Sequence, residues 1–542
     1  MFASRCGRPL QRVLTAGIVA LGAGSTLPAR AQASLDQIQC ANQDRTVAAD
    51  RMIESCTALI KGGGQSSRIL SITFYNRGLA YHRKGDNARA IADFDEAVKA
   101  DPANTFAFMS RGTARYEQGD NDGAIADYGE AVRVDPKNAL AFTNRCNAYR
   151  SKGDNDRAIA DCDHAIRLNP QLAQAFNNRG MAHSAKGDAD RAIADYDEAI
   201  RLNPRFALAF LNRGIARSAK RDYDRAIADY DDAIRLSPQL AQAFNNRGSI
   251  HRLKGDNDRA IADFDAAIRL DATSAGAFYN RGSAWLAKGD DTRAVADLDR
   301  AIGLDAKFAP ALTSRGLAHA AKGDDARAIA DFDAALRLYP DDHPDSRVLR
   351  RLRGYAHFRI ADYRAAATDL ALVVRQQPSD LEPALWLYIA RAHAGERDAT
   401  SRMRANARGL KSTDWPFPIA EMFIDRRKPE QTLSSAKTLA QRCQAQFHVG
   451  EWHLLHRDRA AARRALQAAV DDCPKTLAEY AGAVAELKRL GTADDMTTAS
   501  TPPATSAASP APKRDKASVS RPPRLSAGAP KTSPARERPA PD

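Results

Sequence analysis

The sequence predicts an all-α fold, an α-solenoid of stacked helix pairs, and two observations carry that prediction. The first is a period of 34 residues. A glycine returns at Gly78, Gly112, Gly180, Gly214, Gly248, Gly282 and Gly316, and an alanine at Ala90, Ala124, Ala158, Ala192, Ala226, Ala260, Ala294 and Ala328. The second is the pattern inside each period. An apolar residue at position 4 forms a stripe with positions 8 and 11 at helical spacing, and a Gly-Asp step such as Gly153 and Asp154 then interrupts it. A strict repeat of this length means an array in which each unit buries its apolar face against its neighbours.

Eight repeats run without a gap over residues 71–342, with position 1 at Ser71, Thr105, Ala139, Ala173, Ala207, Ala241, Ala275 and Ala309. Helix A is expected to carry Phe74, Phe108, Phe142, Phe176, Phe210, Phe244, Phe278 and Leu312 at position 4. Gly-Asp near positions 15 and 16 ends helix A and supplies a cap for helix B. Helix B reads AIADYDEAI, with small residues at positions 20 and 27. A proline near position 32 closes it, as at Pro102, Pro136, Pro170, Pro204, Pro238 and Pro340. Glycine inside a helix costs about 1 kcal/mol relative to alanine. Its return at position 8 therefore predicts a place where two helices approach too closely for a side chain.

Small residues at 8, 20 and 27, an aromatic at 24 and a proline at 32 resemble the tetratricopeptide repeat family over about half of the chain. The resemblance implies antiparallel helix pairs stacked into a right-handed superhelix whose concave face is lined mainly by A helices. It also implies a non-enzymatic scaffold with a protein or peptide partner, similar to exported bacterial proteins of this type.

The flanks divide further. Residues 1–33 read as a signal peptide: Arg5, Arg8 and Arg12 precede an apolar run over 13–27, and Ala31 and Ala33 are placed for cleavage. The run is too short and too glycine-rich for a transmembrane helix, and no cysteine follows it in a lipid-anchor setting. A periplasmic location is expected, the alternative being an uncleaved N-terminal anchor. Residues 34–66 are expected to form a capping helix pair that ends at Gly62, Gly63 and Gly64. Residues 347–380 form a ninth repeat, offset by an insertion at 343–346, with Gly354, Ala366 and Pro378 in register. Residues 381–442 are a degenerate helical region in which WPFPIAEMFI starts a helix after a proline-bounded turn. Residues 443–490 hold a last repeat, with Gly450, Ala462, Leu466, Ala469 and Pro474 at its consensus positions, and a capping helix. Residues 496–542 hold eight Lys and Arg against three acids and are rich in Pro, Ala and Ser. This tail is expected to be disordered and to make at most weak contact with the cell envelope.

Charge excludes one class of partner. The chain has 80 Lys and Arg against 67 Asp and Glu, but within the repeats Arg and Asp alternate closely. That is a solvated, salt-bridged helix surface, and no basic stripe with interleaved aromatics marks a nucleic-acid partner.

Six of the seven cysteines follow the signal segment. In a hairpin turning near position 16, facing positions sum to about 32. Cys146 and Cys162 stand at positions 8 and 24, Cys40 and Cys56 share that spacing, and Cys443 and Cys473 stand at 1 and 31. Disulfides Cys40–Cys56, Cys146–Cys162 and Cys443–Cys473 are expected, each worth ~3 kcal/mol if unstrained. The alternative is buried free thiols.

Position 6 is asparagine at Asn76, Asn144, Asn178, Asn212, Asn246 and Asn280. An amide both donates and accepts, so a row of them on the inner face can pair with the backbone of an extended peptide. The row is similar to the asparagine ladder in the tetratricopeptide superhelix of the O-linked N-acetylglucosamine transferase. The competing reading is that this asparagine only tunes helix packing. Arg at position 7 and Asp at position 23 recur in all eight repeats, from Arg77 and Asp93 to Arg315 and Asp331. Their equal numbers favour a structural ladder over an anion-binding groove.

His448, His453 and His456 with Glu451 cluster in sequence, but their spacing does not bring the three histidines to one helix face. No metal, cofactor or catalytic residue is therefore expected, and no phosphate loop or nucleophile elbow is present. The function expected is a periplasmic scaffold that binds a partner protein or extended peptide in its groove. The alternative is an accessory subunit of cell-wall or polysaccharide machinery that contacts glycan or an envelope enzyme.

Overall fold

The computed structural model describes residues 29–42, 46–406 and 414–491. Most of the expected signal segment and all of the tail at 496–542 lie outside them. The chain divides into two units, 1–486 and 487–542, and only the end of the last helix is described in the second. Among the described residues there are 27 α-helices and no strand. The first unit is an α-solenoid of antiparallel helix pairs.

The array opens with α1 (Ala29–Ala41) and α2 (Ala49–Gly62). α1 starts five residues ahead of the expected pair, so Ala31 and Ala33 fall in its first turns. The sixteen helices of the eight repeats follow, from α3 (Ser67–Arg83) and α4 (Asn87–Ala100) to α17 (Ala309–Ala321) and α18 (Asp325–Leu336). Next come α19 (Pro344–Arg359) and α20 (Tyr363–Gln376). The insertion at 343–346 is not a loop. His343 accepts from the Asp345 N–H, Pro344 takes the first helical position, and the added residues extend α19 by a turn.

Both turn residues of the repeat do what their chemistry requires. The glycine at position 15 has a left-handed backbone, as at Gly85 with φ 76° and Gly153 with φ 81°. In repeat five that position is Arg221, at φ 61°. The aspartate at position 16 then caps helix B: Asp86, Asp120 and Asp154 each accept from the N–H three residues on.

Position 8 is the closest approach of the two helices. A Cβ on Gly78 would lie 2.6 Å from Phe94 Cε1, and one on Gly214 would lie 2.6 Å from Tyr230 Cε1. The partner is always position 24, whose ring or leucine is buried against the bare backbone. In repeat three the same two positions are Cys146 and Cys162, bonded to each other with Cα atoms 5.6 Å apart.

Positions 7 and 23 sit beside this contact and form a ladder of ion pairs. Arg111 donates from Nε to both Asp127 oxygens at 3.0 Å, and from Nη1 to Asp95 of the preceding repeat at 2.6 Å. Its guanidinium also lies over the Phe108 ring, 5.4 Å from the centroid. The same double pairing recurs at Arg179, Arg213, Arg247, Arg281, Arg315 and Arg353. Arg145 departs from it: Gly129 occupies the position of the preceding carboxylate, and Asp161 is its one acidic partner among the described residues. Burial pushes Asp127 and Asp229 above the usual carboxylate range although two arginines face each.

Beyond the ninth repeat the pattern wears. α21 (Leu381–His393) is followed by three short helices, α22 (Ala399–Asn406), α23 (Phe417–Phe423) and α24 (Pro429–Ser435). α25 (Leu439–Leu455) begins four residues before Cys443 with a capping box between Thr438 and Gln441. α26 (Arg459–Asp472) restores the hairpin and α27 (Ala478–Leu490) follows. A Cβ on Gly482 would meet Phe447 at 2.8 Å and Trp386 at 2.9 Å, so glycine lets α27 seat on α25 and α21.

Two substitutions separate the causes of glycine in this fold. Gly214→Ala forces Tyr230 out of its seat and is expected to lower stability by about 1–3 kcal/mol. Arg221→Gly relieves a left-handed arginine and is expected to raise stability by about 1 kcal/mol. Chemical denaturation of both variants checks the opposite signs.

Candidate peptide-binding groove

Successive A helices meet one another from α1 to α17, whereas successive B helices barely do. The A helices therefore occupy the tighter, inner radius of the first unit. On a helix, positions 2, 5, 6 and 9 share one face, and this face presents two rows of side chains.

One row is apolar and was not singled out in the sequence. Position 2 is Ile72, Phe106, Leu140 and Leu208 in repeats one, two, three and five, and all four are exposed, Phe106 at 71%. Leu317 at position 9 is exposed as well. The signal was present as large aliphatic and aromatic residues at a position where other repeats carry Gln, Gly or Pro. It is visible only once the helix face is known.

The other row is the asparagines at position 6, and the structure divides them. Asn212 donates to Asn177 Oδ1 at 3.0 Å and Asn280 donates to Asn245 Oδ1 at 3.0 Å, each across to the preceding A helix. Asn178 reaches the Thr143 carbonyl at 3.5 Å. Asn246 lies within reach of the Tyr230 hydroxyl. These four amides brace neighbouring helices. Asn76 and Asn144 are half-buried and make no such bond among the described residues.

The cysteines meet in the pairs that the hairpin spacing selects. Cys40 and Cys56 are bonded with Cα atoms 4.9 Å apart, joining α1 to α2, and Cys443 and Cys473 at 5.4 Å join α25 to the end of α26. The histidines of α25 do not converge. His448 points into the core, and burial pushes it down to about 3. His456 stacks on Trp452 at 3.8 Å, and Glu451 instead meets His393 of α21 at 2.7 Å.

A second polar group is buried under the end of the array. Tyr355 donates to Glu382 at 2.8 Å, and Glu479 is 2% exposed beside them. Burial, with Glu382 nearby, pushes Glu479 up to about 7 from its ordinary 4.5.

Stacked hairpins with a continuous inner face define a solenoid repeat protein of the binding type. Tetratricopeptide repeat families match residues 72–104, 112–149 and 146–187, and four overlapping segments from 177–243 to 279–343. The chain is a tetratricopeptide repeat protein, and such repeats imply a protein–protein interaction scaffold. Among solved structures, a tetratricopeptide repeat protein from Parabacteroides merdae is 22% identical, covers 46% of this chain and 98% of its own, and has a TM-score of 0.38. YrrB, described as having an unusual peptide-binding site, is 24% identical, covers 34% and 95%, and has a TM-score of 0.29. The pilF protein of Pseudomonas aeruginosa is 19% identical, covers 39% and 97%, and has a TM-score of 0.35. None of the curated proteins matches the sequence. No described helix is long and apolar enough to cross a membrane.

The buried carboxyl makes a pH prediction. A folded-state value near 7 against 4.5 when unfolded means stability present at low pH and lost as pH rises between those values. Glu479→Gln, which mimics the protonated form, is expected to raise stability at pH 8 by up to about 3 kcal/mol. It is expected to change little at pH 5, and urea titrations at the two pH values read the difference.

Proposed function

We propose that this chain is a non-enzymatic, exported scaffold that holds an extended segment of a partner protein along its inner face. The observation that carries the reading is the pairing of exposed apolar side chains at position 2 with amides at position 6 on one A-helix face. Apolar residues seat alternate side chains of a strand-like peptide, and amides not consumed by helix bracing serve its backbone. Asn76 and Asn144 are the amides best suited to that work. Asn178, Asn212, Asn246 and Asn280 support the wall that carries them. On this reading the peptide enters along repeats one to three, where the exposed Ile72, Phe106 and Leu140 stand.

A periplasmic setting agrees with three disulfides that staple the first, fourth and last hairpins, since such bonds persist in oxidising compartments. If the protein is exported, alkylation of the folded chain before reduction is expected to label none of the six repeat-region cysteines. Labelling of all six by mass spectrometry defeats the compartment assignment.

Crosslinking capture from an envelope fraction tests the groove. Phe106→Ser with Leu140→Ser is expected to lower recovery of the captured protein about tenfold, equivalent to ~1.4 kcal/mol, with an unchanged melting point. Asn76→Ala with Asn144→Ala is expected to act likewise. Asn212→Ala with Asn280→Ala is expected instead to lower the melting point. Capture that survives both groove pairs removes the inner face from the binding reaction. Co-sedimentation with purified cell wall in place of protein capture favours the accessory-subunit reading.

A further inference from the structure

We infer that the end of the array holds a zinc site made by His393, Glu451 and Glu486. The three residues come from three different helices, α21, α25 and α27. Their ligand atoms, one imidazole nitrogen and two carboxylate oxygens, all lie within 4.8 Å of one another. His393 Nε2 and Glu451 Oε2 are 2.7 Å apart.

Three features distinguish this group from surface acids that meet by chance. The first is burial: the Glu451 side chain is fully buried and Glu486 is 4% exposed, while His393 keeps 17% of its side chain open to solvent. A divalent cation held between two buried carboxylates and an imidazole offsets charge that has been taken out of water. His393 leaves a path by which the ion enters. The second is support behind the ligands. Tyr363 stacks on the His393 ring at 4.7 Å and 16°, Phe358 meets it edge-on at 6.1 Å, and the Tyr363 hydroxyl reaches Glu486 Oε1 at 3.4 Å. The rings fix the imidazole's orientation, and the Tyr363 bond to Glu486 is the kind of outer support that a ligating carboxylate ordinarily has. The third is the donor set. One nitrogen and two carboxylate oxygens suit zinc, which takes histidine and glutamate in sites of three protein ligands. Calcium takes six to eight oxygens, more than this group offers.

The position of the site gives it a role. The regular repeats end at α20, and the short helices after α21 break the stacking that holds the rest of the array together. A shared ion ties α25 and α27 back onto α21, next to the hairpin that Cys443 and Cys473 staple. Sequence spacing hides the group. Its histidine and first glutamate are 58 residues apart, and the histidines that do cluster along α25 point elsewhere.

The test uses the full chain with its disulfides intact, stripped with a chelator and titrated with zinc chloride alone. One zinc ion per chain is expected by calorimetry and by elemental analysis after dialysis, together with a zinc-dependent rise in melting temperature. X-ray absorption is expected to show nitrogen and oxygen neighbours and no sulfur. Glu451→Gln with Glu486→Gln keeps the side-chain shapes and is expected to abolish uptake, whereas His453→Asn with His456→Asn is expected to leave it intact. If the stripped wild-type chain takes up no zinc, the site does not exist. Uptake that persists in the double glutamine variant, or vanishes with His453 and His456, places the ion elsewhere. The wild-type stoichiometry and X-ray spectrum decide the matter even if the glutamine variant fails to fold.

Discussion

The structure depends on one contact, the bare backbone of position 8 against the side chain of position 24. With no Cβ at Gly78 or Gly214, helices A and B close until the facing ring lies on the glycine itself. That distance sets everything beside it. Residues 7 and 23 are the sequence neighbours of the contact, so the arginine and aspartate arrive within hydrogen-bond range in every repeat. Repeat three shows the constraint in covalent form. Its two cysteines stand at the same positions, and the separation that admits a ring on glycine also lies within the range that a disulfide needs. The staple requires no change of hairpin geometry, because it replaces a contact that was already the closest in the unit.

The ion-pair ladder has a different purpose from the contact. Burial raises Asp127 and Asp229 even with arginines beside them, so desolvation consumes much of what the pairs return. The lysine bridges between repeats, such as Lys254 with Asp224, are exposed and worth at most about 1 kcal/mol each. What the ladder does supply is register. Apart from Arg145, each arginine from Arg111 on pairs with its own hairpin and the one before it, and a hairpin displaced along the stack leaves a buried charge unpaired. Apolar burial drives the stacking, and the charges specify which stacking. The gap at Gly129 is tolerable on this account, since Arg145 keeps Asp161 and the disulfide holds the same hairpin.

Legibility in the sequence followed the reach of each interaction. Contacts inside one hairpin have a fixed separation, so the glycine–aromatic seat, the aspartate caps and the cysteine pairs were all readable from the period. The offset of the ninth repeat was readable from Gly354, which still faces Leu370, but not that the added residues lengthen α19, because a proline can start a helix as well as break one and Pro344 does the former. Half of the candidate groove was readable. The asparagines stand out by repetition, but their bonds to the preceding repeat depend on how the hairpins stack, which no single repeat records. The apolar residues at position 2 are irregular in identity, and only their shared exposure marks them.

The end of the array was the least legible because its contacts are neither local nor periodic. Trp386 of α21, Phe447 of α25 and Phe358 of α19 pack against one another from positions separated by tens of residues. This region also holds buried ionisable groups that stand outside the arginine–aspartate ladder, with Glu451, Glu479, Glu486 and His448 each under 5% exposed. A segment whose only task was to cover the last repeat has no use for such groups, since leucine in their place covers the same surface without the desolvation cost. Their presence where the repeats lose their pattern agrees with the zinc site proposed there. The repeats supply a wall that any unit can extend, and the proposed ion would tie the non-periodic helices to the place where that wall stops.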